Sequence, residues 1–325
     1  MVIRLRSCTA KPPAAPSIRV WRLIAIAAVW GLMTLCTTSC KRAEPVPKGN
    51  GRLQVVVTHS ILSDIVGNVG DDRLEVVTLV GPNGYVHTYE PTPADTRAVS
   101  SASVIMENGL AFEPWIDKLY KSSGSKAVRV VASQGFRPRT LMEGGREETD
   151  PHCWQDVHGA MQMTHNVADA LAKADPAGAS AYRANAQAYL TKLDVLDRYI
   201  VQKVQTLPPD RRILVTSHDS LGYFAERYGF KVLGSALGSL TTEGGDPSAQ
   251  KIAAVVEEVR QSKVPTIFTE NMQSPKLMEQ IGKEAGVRVD TSLYTDALGP
   301  RGNPGETYLG MMRYNVDTIV SLLKP

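Results

Sequence analysis

The chain has 325 residues, 43% hydrophobic and 21% charged, with 26 Gly and 20 Pro, a composition that excludes a disordered chain and a collagen-like fibre. At about 100 to 200 residues per domain, the length suits two domains or lobes, each large enough to bury its own core. The net charge of +3 is lopsided: residues 1–39 hold Arg4, Arg6, Lys11, Arg19 and Arg22 and no acid, which leaves 31 basic against 33 acidic residues in the other 286. Nucleic-acid binding calls for a basic face, so no nucleic-acid partner is expected.

The five basic residues run into an uncharged stretch, residues 23–39, whose apolar part reads LIAIAAVWGLMTLC. A basic n-region followed by an apolar h-region marks a secretory signal, and seventeen residues is at the short limit for crossing a bilayer of about 30 Å. Thr37-Thr38-Ser39-Cys40 is similar to a bacterial lipobox, in which the cysteine is acylated and becomes the mature N-terminus, although Thr37 stands where Leu is usual and Leu35 lies two residues further back. The expectation is a signal over 1–39, lipid on Cys40 and an exported, lipid-anchored protein in the periplasm or on the outer face of the cytoplasmic membrane. A cleaved signal on a freely soluble protein is the alternative. Cys8 and Cys36 would leave with the signal, so Cys153 alone remains and no disulfide framework exists. Residues 40–51, charged and rich in Pro and Gly, read as a flexible tether.

From there short β-branched runs alternate with helical stretches. Strands are expected at 53–58, 74–80, 103–106 and 127–131, with helices near 60–69, 92–100 and 111–122. Next, Tyr182, Ala186, Tyr189, Leu193, Leu196 and Ile200 recur at spacings of 4, 3, 4, 3 and 4, one apolar face of a helix running from about 176 to 208. At 1.5 Å per residue it would reach ~45 Å, enough to cross two lobes. Strands at 212–216, 231–235 and 265–269 then alternate with helices at 219–228, 248–261 and 275–285, the middle one introduced by Asp246-Pro247, a cap residue and a favoured first helical residue. The fold class is α/β: a lobe over 52–176, a linking helix over 177–207 and a second lobe over 208–325.

Three of the six histidines fall in loops after expected strands: His87 in GPNGYVHTYEPTP, His152 in TDPHCWQD and His218 in TSHDS, while Asp296 lies in the Pro/Gly-rich loop LYTDALGP before the final helix. Ligands of α/β lobes gather at the carboxyl ends of strands, and imidazoles with a carboxylate suit a tetrahedral site for a divalent first-row metal. Taken singly, each histidine is equally at home as an exposed or hydrogen-bonding residue. His59, after the first strand, reads as a helix-capping residue that can also face the cleft and support a metal ligand there, and Glu270, after TIFT, as a carboxylate that either orients a ligand imidazole or is simply buried. His158 and His165 fall on the helix after the DPH loop, with His165 facing solvent. Ser217-His218-Asp219 spells a catalytic triad, yet three consecutive residues cannot align base and nucleophile, and no GxSxG elbow is present. GSALGS, 234–239, lacks the Lys of a phosphate loop and reads as a turn.

The strings GPNGYVHTYEPTPAD, DPHCWQD, TSHDSLGYFAERYGF, FTENMQSPKLMEQI and LYTDALGP resemble, in order, the motifs of the metal-binding solute receptors of zinc and manganese ABC transporters, cluster A-I. The likeness covers about residues 53–323. It implies two α/β lobes joined by one long helix, one divalent metal in the cleft between them held by His87, His152, His218 and Asp296, and a monomer without enzymatic activity that serves an ABC permease and its ATPase. Two departures stand out: residues 111–150 lack the His- and acid-rich loop of many zinc receptors, and Val86 replaces the Asp or Pro common before the first ligand. Manganese receptors of this family commonly supply a second carboxylate at the third ligand, where this chain has His218, so Zn²⁺ is expected ahead of Mn²⁺. The rival readings are a zinc-dependent hydrolase with Glu270 or Glu243 as base, for which no HExxH motif exists, and a surface adhesin on the same fold.

Overall fold

The computed structural model describes residues 51–143, 146–233 and 248–324. The expected signal, Cys40, the tether up to residue 50, the turn at 234–239, Glu243 and Asp246-Pro247 lie outside the described residues.

β1 (Leu53–His59), β2 (Leu74–Val80), β3 (Val104–Glu107) and β4 (Val128–Val131) form an all-parallel sheet in the order β2-β1-β3-β4. The near-continuous apolar run of β1 suits a central parallel strand covered on both faces, and Val55, Val56 and Val57 are all buried. The covering helices include α1 (Ser60–Gly70), α2 (Pro93–Ser101) and α3 (Ile116–Ser123). α2 begins at a capping box, where Thr92 and Asp95 satisfy each other's backbone N–H groups and proline follows the cap. α3 starts later than the expected residue 111, because Leu110 and Ala111 take φ values of 56° and 63°, left-handed conformations that a right-handed helix cannot include. An unexpected antiparallel hairpin follows, β5 (Thr140–Glu143) and β6 (Arg146–Thr149).

α4 (Val157–Ala174) leads into the long helix α5 (Ala179–Gln205), whose 27 residues extend about 40 Å. It is trimmed from the expected span by a 3-10 turn at Pro176–Gly178 and by its end at Gln205. Every residue of the expected apolar stripe, Tyr182 to Ile200, is buried.

The second half holds the parallel pair β7 (Ile213–Val215) and β8 (Lys231–Leu233) and, beside β7, the parallel pair β9 (Thr266–Glu270) and β10 (Arg288–Leu293). Its helices are α6 (Gly222–Tyr228), α7 (Ala249–Ser262), α8 (Lys276–Ala285) and α9 (Tyr308–Leu323). Ser248 caps α7, its hydroxyl accepting from the Lys251 N–H, in place of the expected Asp246. The fold is therefore α/β in both halves with one long helix between them.

The expectation of a separate core for each lobe needs correction. One small cluster, including Val215, Val256, Val259, Ile267 and Ile281, belongs to the second half alone. The main core is shared: it joins β1, α1, α4 and α5 to Phe224 of α6, Phe268 of β9 and Met311, Met312 and Ile319 of α9. A part-buried polar tie crosses the same region, where Asp64 of α1 accepts from the Tyr308 N–H of α9 at 3.1 Å and the Tyr189 hydroxyl of α5 at 3.3 Å. Among the described residues no helix is long and apolar enough to cross a membrane.

Candidate metal centre

Parallel strands bring their carboxyl ends together, and the loops that leave β2, β7 and β10 carry His87, His218 and Asp296. His152 arrives from the first half just before α4. Each loop is fastened by backbone bonds. The Val86 carbonyl accepts from Trp115 Nε1 at 2.8 Å, and the Val86 side chain is fully buried, so an apolar residue before His87 fits the core. The Asp296 loop is held by Trp154 Nε1 and Gln155 Nε2, which donate to the Thr295 carbonyl at 2.8 and 2.9 Å, and by the Leu298 N–H, which donates to Ser60 Oγ at 3.0 Å.

The four side chains converge: one ligand atom from each of His87, His152, His218 and Asp296 lies within 4.8 Å of all the others. The Nε2 atoms of His87 and His218 stand 3.5 and 3.2 Å from Asp296 Oδ2, and His152 Nε2 is 3.5 Å from Oδ1. All three Nε2 atoms and both carboxylate oxygens are buried without a hydrogen-bond partner. Buried polar atoms are costly when unsatisfied, and five of them aimed at one point is the pattern a cation satisfies.

Burial alone would raise the Asp296 carboxyl and lower the His218 ring, but their attraction, reinforced by Glu270 beside His218, outweighs it. Asp296 is held well below the usual carboxylate range and His218 well above the usual imidazole value. Burial wins at His87, whose ring is lowered against the pull of Asp296. The pocket is thus built to hold positive charge, as a proton or as a metal ion that displaces it.

At His218 and His152 a polar group stands behind the ring, at Nδ1. Glu270 Oε1 sits 3.3 Å from His218 Nδ1, behind the imidazole and itself buried but without a hydrogen bond, while Gln273 Nε2 lies 3.4 Å from the same ring nitrogen. Asp150 plays the equivalent part at His152: its Oδ1 is 2.7 Å from Nδ1 and accepts the His152 backbone N–H at 2.9 Å. At His152 this contact favours the tautomer with the proton on Nδ1, which leaves Nε2 as the free acceptor. Asp150 was not picked out from the sequence, although the aspartate of the DPH string was in plain view.

The remaining histidines are elsewhere. His59 occupies the cap position of α1, but its side chain makes no capping hydrogen bond, which corrects the capping expectation. Its ring packs on Phe112 and Trp154, 5.1 and 5.4 Å between centroids, and those two aromatics in turn flank His87 and His152. His158 lies exposed against the Arg227 guanidinium, and His165 is exposed as expected. Ser217 Oγ pairs with Thr269 Oγ1 at 3.3 Å. The opening to the centre is lined by Leu110, Ala111, Leu141, Thr149, Pro151 and Asp219. A larger cleft between β4 and α4, bordered by Val128, Arg129, Asn166 and Lys173, does not reach the four side chains.

The family model for zinc-uptake complex component A, periplasmic, matches residues 55–322. The chain is 37% identical to the manganese-binding lipoprotein MntA of Halalkalibacterium halodurans over 292 residues, covering 89% of this chain and 95% of that protein. It is 32% identical to the iron-binding protein YfeA of Yersinia pestis over 307 residues, covering 94% and 96%. Among solved structures, the periplasmic zinc binding protein TroA from Treponema pallidum aligns with a TM-score of 0.78 at 32% identity, over 85% of this chain and 100% of that one. The three names carry three different metals.

Burial lowers the His59 ring from 6.5 to about 3. The folded value lies below the unfolded one, so the unfolded chain takes up the proton first and this ring's contribution to stability is lost as pH falls from about 6.5 towards 3. Urea unfolding of metal-free protein at pH 7 and pH 5 checks this: the wild type should lose about 2 kcal/mol more stability between the two than His59→Leu does.

Proposed function

Because this chain belongs to the zinc-uptake complex component A family of metal ABC transporter substrate-binding proteins, we propose that it captures one divalent metal ion on His87, His152, His218 and Asp296 and delivers it to an ABC permease and its ATPase. It is a binding receptor and not an enzyme. The observation that carries the ligand assignment is the convergence of four donor atoms within 4.8 Å, three imidazole nitrogens and one carboxylate oxygen. Four protein donors fill a tetrahedral shell, whereas catalytic zinc keeps a position for water. The hydrolase reading gains nothing from Glu270, which lies behind His218, and no feature favours the adhesin reading.

For the ion, we favour Zn²⁺ over Mn²⁺. Imidazole suits zinc, carboxylate and water suit manganese, and intrinsic affinity rises from manganese to zinc. The remaining parts of the reading are a signal over 1–39, acylation of Cys40, a tether over 40–51, lobes over 52–176 and 208–325 about the helix at 177–207, and a lipid-anchored monomer acting outside the cytoplasm. Support for the anchor comes from the sequence before Cys40 and from relatives described as lipoproteins.

Removing one of four ligands should lower affinity by orders of magnitude. Isothermal titration should find tight metal binding abolished in His152→Ala and in His218→Ala and unchanged in His165→Ala. In competition at neutral pH, Zn²⁺ should displace Mn²⁺ at far lower concentration than the reverse; displacement at comparable concentrations would move the assignment to manganese. Cys40→Ala should shift the protein from the membrane fraction to the soluble one, and mass analysis of the wild type should find acyl chains on a mature form starting at Cys40.

A further inference from the structure

The support behind His152 reaches beyond its own half of the molecule. Asp150 is fully buried, and while its Oδ1 holds His152, its Oδ2 accepts from Arg139 Nη1 at 2.7 Å. Arg139 lies against α6 of the other half: its guanidinium is 5.6 Å from the centre of the Tyr223 ring and its Nε is 3.7 Å from Glu226. The Tyr223 hydroxyl accepts the Arg139 backbone N–H at 3.0 Å and donates to the Asp150 carbonyl at 2.8 Å. Gly222, the first residue of α6, leaves the room this requires, since a Cβ there would overlap the Arg139 guanidinium. α6 itself begins four residues after His218, so the seam between hairpin and helix joins the mounts of two ligands from opposite halves.

We infer that Arg139 is a positioning residue for metal retention: seated on α6, it holds Asp150 and through it His152, so that metal release is coupled to the contact between the β5–β6 hairpin and α6. The inference rests on the reading of His152 as a ligand. Outer partners of ligand imidazoles are typically worth about ten- to hundredfold in metal affinity, and a guanidinium, fixed between a carboxylate and an aromatic ring, supplies a directed charge-assisted bond.

The test uses full-length protein with the substitutions Arg139→Ala, Arg139→Lys, Gly222→Ala and, as reference, His152→Ala. Zn²⁺ affinity is measured by competition with a chromophoric chelator, release by chelator chase, and thermal unfolding on metal-free protein. Arg139→Ala should raise Kd and the release rate about ten- to hundredfold, and Arg139→Lys, whose ammonium keeps the charge, should recover part of the loss. Gly222→Ala leaves every residue of the half that carries His152 unsubstituted, yet by displacing the Arg139 guanidinium it should speed release. Combined with Arg139→Ala it should add little, because both remove one contact. Wild-type Kd and release in Arg139→Ala would overturn the inference, as would full additivity of the pair, or a lower melting temperature without faster release. Should Arg139→Ala not fold, Arg139→Lys and Gly222→Ala decide by the same release measurement. Unchanged affinity in His152→Ala would instead sink the ligand reading on which the inference stands.

Discussion

The Asp296 carboxylate is removed from water entirely, and an isolated buried anion costs several kcal/mol even after relaxation of its surroundings. Compensation comes from three imidazoles on separate loops, two rooted in the first half and one in the second, each aiming Nε2 at the same small volume. The arrangement makes sense only with positive charge in the middle. Asp296 and Glu270 raise the His218 ring against its burial, and in the proposed reading a divalent cation would meet all four groups at once. Glu270 lies on the far side of His218, 3.3 Å from its Nδ1, outside the group of four converging donors.

Holding donors from both halves at this spacing requires a frame that does not drift. α5 provides it: its stripe from Tyr182 to Ile200 packs on α1 and α4 on one side and on α9 on the other. The loops are then pinned to that frame and to each other by buried bonds, of which Trp154 and Gln155 to the Thr295 carbonyl are the most direct, since they tie the loop bearing Asp296 to the segment bearing His152.

Legibility in the sequence followed physical range. The α5 stripe and the apolar run of β1 are local periodicities, and both turned up where the pattern put them. The segment at 111 was misread because nothing in its composition announces that Leu110 and Ala111 adopt left-handed conformations, which only the surrounding structure imposes. β5, β6 and β10 escaped because TLME, REET and RVDTSL carry neither a continuous apolar run nor a clean alternation. Within the centre, the four converging residues sat in recognisable strings. Arg139 had no signal, since its meaning depends on Asp150, Tyr223 and the missing side chain of Gly222, as far apart as 84 positions. The choice of metal is less legible still, for relatives with 37% and 32% identity are named for manganese and for iron.

The shared core also bears on how the molecule comes apart. Two lobes with private cores would unfold in two steps, each with its own midpoint. Here residues of α1, α4 and α5 share one core with α9, so the first half is not complete without a helix that follows the second half's strands. The small cluster around Val256 and Ile267 stands apart from that core, the arrangement expected of a unit that opens on its own. Cooperativity, counted this way, gives one large unit with a satellite, where the order of strands along the sequence suggests two equals.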